Sequence, residues 1–376
     1  MAVAKRVREG QVSWRARWRD DRGQQHSKSF RRKIDAERFM TELEHARLIG
    51  AYVDPGAGRM TVGEWSTTWM RSQVQLKPKT RASYDSLLRC WVLPRWGPVS
   101  LNKVTFGGVA EWVGTMYLGG LSASRTRQAY HLLTGMLDDA VKDGRLVRNP
   151  AAGVDLPRLE TKPRRYLRHQ ELHALAAHCG PYRVLVLTLG YSGMRWGEVA
   201  ALRVQSVDLR RGRIEVSEAV AEIHGKIVLG TPKSHQTRWL PVPKLLLEGL
   251  ETQVAGRGPD YLVFPSPRGG HLRVANFRRG YFDRAAAAIG KPGFYPHELR
   301  HTAASLAIAS GATVKSVQRM LGHASATLTL DRYGHLFADE LDDVATRLDD
   351  AMRDNDVVPM WSRTDPKLFE DHGQEP

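Results

Sequence analysis

"PHELRHTAAS", residues 296–305, is the stretch on which the fold and chemistry turn, because two unrelated chemistries claim it. Read as H-E-x-x-H, His297, Glu298 and His301 match the zinc-hydrolase helix, with two imidazoles at i and i+4 and a glutamate as general base. Read as H-x-x-R, His297 and Arg300 put an imidazole and a guanidinium on one helical turn, a pairing suited to a phosphate. The metal reading needs a third ligand downstream. No carboxylate occurs between Glu298 and Asp331, and the extended zinc motif meets Ala304 and Ala307 where it requires a glycine and a histidine. Arg300 would also lie about 60° round the helix from His297, aiming a cation at the metal. The phosphate reading is the better one.

Charge leads the same way. The 376 residues carry a formal net charge of +16 and a hydrophobic content of 42%. That is enough apolar material for real cores in two or three domains, and the basic excess predicts a polyanionic partner, by default nucleic acid. Residues 1–33 hold eleven Lys/Arg against three acids, whereas residues 339–376 hold twelve acids against four bases, so the acidic tail lies outside the expected DNA footprint. Arg far outnumbers Lys, which favours bidentate phosphate recognition. No run approaches the length of a transmembrane helix, the charged N-terminus lacks a secretory apolar segment, and two cysteines form no disulfide framework. A bacterial cytoplasmic location and no membrane partner are expected.

Along the chain, residues 1–56 read as strands around a "DDRG" turn followed by a helix, a small α+β domain. Its Trp14 and Trp18 suit a core, and Arg15, Arg17 and Arg19 suit a basic face laid on DNA. "VDPGAG" reads as a linker. Residues 61–150 have apolar positions at three-to-four spacing and read as all-helical. Lys77, Lys79, Arg81, Arg125 and Arg127 fall at helix starts, where backbone N–H groups favour phosphate. The Pro-rich residues 151–165 read as a linker. Residues 166–350 are mixed and mostly helical, with helices expected over 168–178, 181–190 and 196–203. Strands are expected at "GRIEVS", "GKIVLG" and "TRWLPV", forming a small antiparallel sheet. Residues 351–376 form the acidic tail.

Within this third block, "LGYSGMRWGEVAALR" sets Arg195 after a glycine turn, and "GTPKSHQTRWLPVP" sets Lys233 in a hairpin turn. "MLGHASATLTLDRYGHL" supplies His323 and Tyr333. With His297 and Arg300 these make two Arg, one Lys, two His and one Tyr. That set suits metal-free phosphoryl transfer, a hydroxyl nucleophile among fixed cations, and implies no cofactor. Each residue alone has an ordinary structural explanation, and "SGATVKSVQRMLGHASATLT" could pass for a helix-turn-helix, but that leaves Arg195 and Lys233 unexplained.

The order of "GMRWGE", "TPKS…TR", "HELRHTAAS", "LGHAS" and "DRYGH" resembles the tyrosine recombinase, or phage integrase, family over about 165–345. Residues 61–150 resemble its core-binding domain and residues 1–56 its arm-type DNA-binding domain. The resemblance implies a site-specific recombinase that integrates or excises a phage or mobile element. In it Tyr333 would form a 3′-phosphotyrosine, Arg195 and Arg300 would clamp the phosphate, and His323 would help hold it. Lys233 would protonate the leaving 5′-oxygen, and His297 would act as general base or acid toward Tyr333. Glu198 is expected to orient an arginine or histidine, and His301 to give structural support. The resemblance also implies double-stranded DNA with core-type and arm-type sites, a homo-tetramer using residues 338–352 as an inter-protomer contact, and possible accessory partners, an excisionase and a host DNA-bending protein. Transposon-type or chromosome-resolving recombination, a topoisomerase-like activity and a non-catalytic DNA-binding protein on the same fold are the alternatives.

Overall fold

Alternation of bulky and basic residues builds the first sheet. The computed structural model describes residues 2–8, 11–19, 23, 25–48, 57–160, 163–232, 236–337 and 340–354. Its chain divides into two compact units, Met1–Lys162 and Pro163–Pro376. In the first, strands Ala2–Arg8, Gln11–Arg19 and Gln25–Phe30 pair antiparallel in sequence order, with Trp14 opposite Phe30 and Arg17 opposite Ser27. Successive side chains point to opposite faces. Ala16 and Trp18 are therefore buried with Met40 and Leu43 of the helix Lys33–Leu48, while Arg15, Arg17 and Arg19 share the other face. Most of the "DDRG" turn and most of "VDPGAG" fall outside the described residues.

The same unit contains the helices Val62–Ser72, Pro78–Leu87, Phe106–Leu118 and Ala123–Lys142. Thr61 and Glu64 form a reciprocal capping box at the first of these, which fixes its start. Tryptophans fill this core, and two of them find an outlet for the ring N–H, whereas the buried Trp96 N–H meets no partner among the described residues. Trp65 donates to the Met136 carbonyl and Trp69 to the Asp139 carboxylate, both at 2.7 Å. Residues 151–165, expected as a linker, are packed at both ends. Ala151 and Val154 lie in the helical core, and the Tyr130 hydroxyl donates to the Ala151 carbonyl. Leu167, just beyond the far end, is buried in the second unit.

The second unit is mostly helical with two small antiparallel sheets. Helices His169–His178 and Arg183–Ser192 lie where the periodicity puts them, but the third stops at Val199. Beyond it the chain dives into the core, and Leu202 and Val204 exchange backbone bonds with Val263 and Tyr261 instead of extending the helix. Strands Val207–Asp208, Arg213–Val216 and Arg238–Pro241 form one sheet. Ala219–Ile223 and Lys226–Gly230 form a hairpin whose first strand the sequence reading lacks, turning at His224 and Gly225, both with positive φ. The apparent helix-turn-helix is resolved as helices Val314–Leu321 and Ala326–Tyr333, packed beside Glu298–Ala309. A last helix spans Glu340–Asp354. Among the described residues, no helix is long and apolar enough to cross a membrane.

Candidate active site

Gly193 and Gly322 set the geometry of the cleft. Both adopt positive φ, where a side chain is strained. A Cβ at Gly193 would also meet Leu321 Cδ2 at 2.7 Å, and one at Gly322 would meet the Arg238 guanidinium at 3.2 Å. These close approaches leave three carbonyls facing the arginines. Arg300, 3% exposed, donates to the Gly193 carbonyl at 2.6 Å and to that of Leu321. Arg195 donates to the Gly322 carbonyl at 3.3 Å. Burial, then the neighbouring Arg195, pulls the Arg300 pKa down to about 9, so it still carries its charge at neutral pH.

Glu198 is the only carboxylate that touches these arginines among the described residues. It is 2% exposed and accepts from the Arg195 side chain (2.9 Å), the Arg195 backbone N–H (2.9 Å) and both terminal nitrogens of Arg238 (3.1 and 2.6 Å). Burial would raise its pKa, but the Arg238 hydrogen bonds and charge, with those of Arg195, hold it below the usual glutamate value. One carboxylate thus aligns two guanidiniums, as expected of it for an arginine.

The resulting cleft, about 800 Å³, is lined by Arg195, Arg238, Arg300, Lys315, Arg319 and Arg332. His297 and His323 line it too, and no carboxylate does among the described residues. His323 is buried; its Nδ1 lies 2.9 Å from the Thr329 hydroxyl, and its Nε2 meets no hydrogen-bond partner among the described residues. Burial first, then the charges of Arg300, Arg332 and Arg195, lower its pKa to about 4. His297 is exposed at the N-terminal end of the helix Glu298–Ala309. Packing round its ring, then Arg300 and Arg195, lowers its pKa as well. Lys233 lies outside the described residues, in the segment between the strand ending at Gly230 and Arg238.

Tyr333 sits behind this cleft rather than in its wall. It is 2% exposed, at the end of the helix Ala326–Tyr333, packed with Ala304, Ile308, Val317 and Leu321. Its hydroxyl is 2.7 Å from Nδ1 of His301, and the Arg164 guanidinium lies 5.9 Å from its ring centroid. The proton-transfer partner expected for Tyr333 was His297; the imidazole that meets the phenol is His301. Both histidines occupy one face of the helix, their rings 5.8 Å apart, and only the packing of Tyr333 selects between them. Burial raises the Tyr333 pKa and lowers that of His301 to about 4. Glu298 takes no part in this cleft. It is held by Arg165 through two 2.8 Å bonds and accepts from the Tyr295 N–H.

Sequence reasoning missed Arg238, although it ends the "TPKS…TR" block, and gave His301 no contact with the nucleophile. The residues expected to touch DNA in the first unit lie on the sheet and on two of the helices. Lys79 and Arg81 are exposed in the first turns of Pro78–Leu87, which Lys77 precedes. Arg125 is tied to Ser86 and Gln128, each at 3.2 Å, and Arg127 to the Pro157 carbonyl at 3.1 Å. Arg15 donates to the Ser27 hydroxyl at 2.7 Å, leaving Arg17 and Arg19 exposed on the same sheet face.

The model of the phage integrase family matches residues 165–340. The chain is 29% identical over 323 residues to the prophage phiRv2 integrase of Mycobacterium tuberculosis strain H37Rv, covering 82% of this chain and 84% of that protein. It is 30% identical over 233 residues to the tyrosine recombinase XerC of Xylella fastidiosa, covering 60% of this chain and 74% of that one. The Tn1549 transposon integrase, solved with circular intermediate DNA, shares the fold, with a TM-score of 0.67 at 21% identity over 77% of this chain and 99% of that one. The chain belongs to the tyrosine recombinase family. It is a site-specific DNA recombinase of the integrase type.

Proposed function

We propose that the cleft binds one DNA phosphodiester and that Tyr333 attacks it, leaving a 3′-phosphotyrosine and a free 5′-hydroxyl. The observation that carries this reading is the pair Arg195 and Arg300, fixed by backbone carbonyls in a cleft without a lining carboxylate among the described residues. Their planar forks hold the two non-bridging oxygens and stabilise the charge that grows on them in the pentacoordinate state. His323, its Nδ1 engaged by Thr329, offers Nε2–H to the same phosphate. Lys233 protonates the leaving 5′-oxygen. His297, neutral at pH 7, serves the phosphate side of the cleft, since His301 occupies the phenol. The bond energy is kept in the covalent intermediate, so the reaction proceeds without ATP or a metal.

The arm-type role belongs to residues 1–56 and the core-type role to 61–150. What supports the first is a sheet face carrying Arg15, Arg17 and Arg19 opposite its own small core. Several protomers acting on two duplexes form a tetramer. The exposed Leu348 and Met352 on the last helix make it the segment offered to a neighbour. The mobile element served is a phage or a transposon-like element, with an excisionase and a host DNA-bending protein as its accessory partners.

The test is a covalent adduct on nicked duplexes drawn from the DNA flanking the gene, in EDTA. Wild type should form it and Tyr333→Phe should not. An adduct that survives Tyr333→Phe, or that appears only with magnesium, overturns the reading.

A further inference from the structure

We propose that His301 is a catalytic residue, the group that takes the phenolic proton of Tyr333 as the tyrosine attacks and returns it on religation. The proposal rests on the assignment of Tyr333 as nucleophile and goes beyond it.

Geometry carries the argument. The Tyr333 hydroxyl is buried behind the cleft, and the hydrogen-bond partner it has there is Nδ1 of His301, at 2.7 Å. That separation is within the reach a general base requires. His301 projects from the helix that also carries Arg300 one residue earlier, so the base and the phosphate clamp move as one element. With the phenol donating, Nδ1 is the bare nitrogen and Nε2 carries the proton. The groups facing this imidazole are His297 from its own helix, Arg300 beside it, Arg332 and Tyr333 from the helix Ala326–Tyr333, and Arg164 from the segment preceding His169–His178. Before DNA arrives, the ring is neutral and available as an acceptor, but burial and these cations make it too weak a base to ionise the phenol. A phosphodiester entering beside Arg195 and Arg300 brings a negative charge that offsets them and strengthens the base. Nucleophile activation is thereby coupled to substrate binding.

The step balances as follows. The Tyr333 O–H proton passes to His301 Nδ1, the phenolic oxygen forms the bond to phosphorus, and the bond from phosphorus to the 5′-oxygen breaks. That oxygen takes a separate proton from the leaving-group acid, the role given to Lys233. In religation the 5′-hydroxyl returns its proton to the leaving-group acid as its oxygen attacks phosphorus, the bond from phosphorus to the phenolic oxygen breaks, and the imidazolium gives its proton to the departing phenolate, as microscopic reversibility requires.

His301→Asn tests this, since its Oδ1 replaces Nδ1 as an acceptor but cannot hold the proton. Full-length protein is incubated with the nicked flanking duplexes, made with either a bridging 5′-oxygen or a bridging 5′-sulfur, and adduct formation is timed from pH 7 to 9. Wild type should be nearly flat with pH. The variant should be slower by about 10²-fold at pH 7 and recover about tenfold per pH unit, because the phenol must then ionise unaided. It should stay slow on the sulfur substrate, whose leaving thiolate needs no proton. A deficit equal at every pH, or one abolished by sulfur, would sink the proposal. Gel shift and thermal melting of His301→Asn separate a folding loss, and His301→Gln, whose amide does not match Nδ1, should be slower still. Adduct from Tyr333→Phe, or none from wild type on any duplex, would instead overturn the assignment of Tyr333 itself.

Discussion

Two arginine-rich surfaces of this molecule use the same side chain in opposite ways. On the N-terminal sheet, Arg17 and Arg19 are exposed at alternate positions of one strand, on a face with no apolar core. In the cleft, Arg300 is buried between two carbonyls, and Arg195 is braced by Glu198 and Gly322. An open arginine contributes charge that any polyanion can meet in many geometries, which gives affinity that salt screens. A braced one has lost its freedom before the substrate arrives, so its charge already stands where the transition state needs it.

That difference can be broken most sharply at Arg300. Arg300→Ala should lower the rate of adduct formation by about 10²–10³-fold or more, the scale on which one fixed oxyanion donor counts. Arg300→Lys should recover little, because one ammonium cannot span the carbonyls of Gly193 and Leu321. Full recovery by lysine would mean that charge suffices and the bracing is incidental.

Glu198 tests what does the bracing. Glu198→Ala leaves Arg195 and Arg238 without their shared carboxylate, and a broken buried pair costs about 3–5 kcal/mol. Urea unfolding should show a loss of that order together with a slower adduct. A variant as stable as wild type would show that the carbonyls alone hold the arginines.

Acid should loosen the cleft by a third route. His301 and His323 are lowered from the usual 6.5 to about 4 in the folded protein, so at pH below 6.5 the unfolded chain binds protons the folded one refuses. Stability should therefore fall as pH drops from 6.5 to about 4 and level off, for these two groups, below that. The same melting series on His301→Asn should show a shallower fall; identical slopes would remove His301 from the account.

The smallest effect belongs to the open surface. Arg17→Ala should weaken DNA binding uniformly and reduce the salt slope by about one, while leaving the adduct rate on core-type DNA unchanged. A change in that rate would contradict the separation of affinity from chemistry.

Much of the candidate site was legible in the chain itself. "HELRH" without a downstream carboxylate excluded the zinc reading, and five blocks in order supplied Arg195, His297, Arg300, His323 and Tyr333 as one group. Arg15, Arg17 and Arg19 at alternate positions foretold a basic sheet face, because strand periodicity is a local property. The strand Ala219–Ile223 escaped notice because "AVAEI" lacks a clean alternation, and its pairing partner decides its state. The early end of the helix at Val199 escaped for a related reason, since a backbone pairing with residues 261–263 competes with helix continuation.

The sequence by itself determined the residue types, their order and the helical face that carries both His297 and His301. Only the tertiary structure decided which imidazole meets Tyr333, that Glu198 serves two arginines, and that Glu298 belongs to Arg165. Helical spacing fixes which residues share a face, but the partner of that face comes from segments far along the chain. Tyr333 lies 32 residues beyond His301, and Arg165 lies 133 residues before Glu298. Packing brings such segments together, and no local period encodes it.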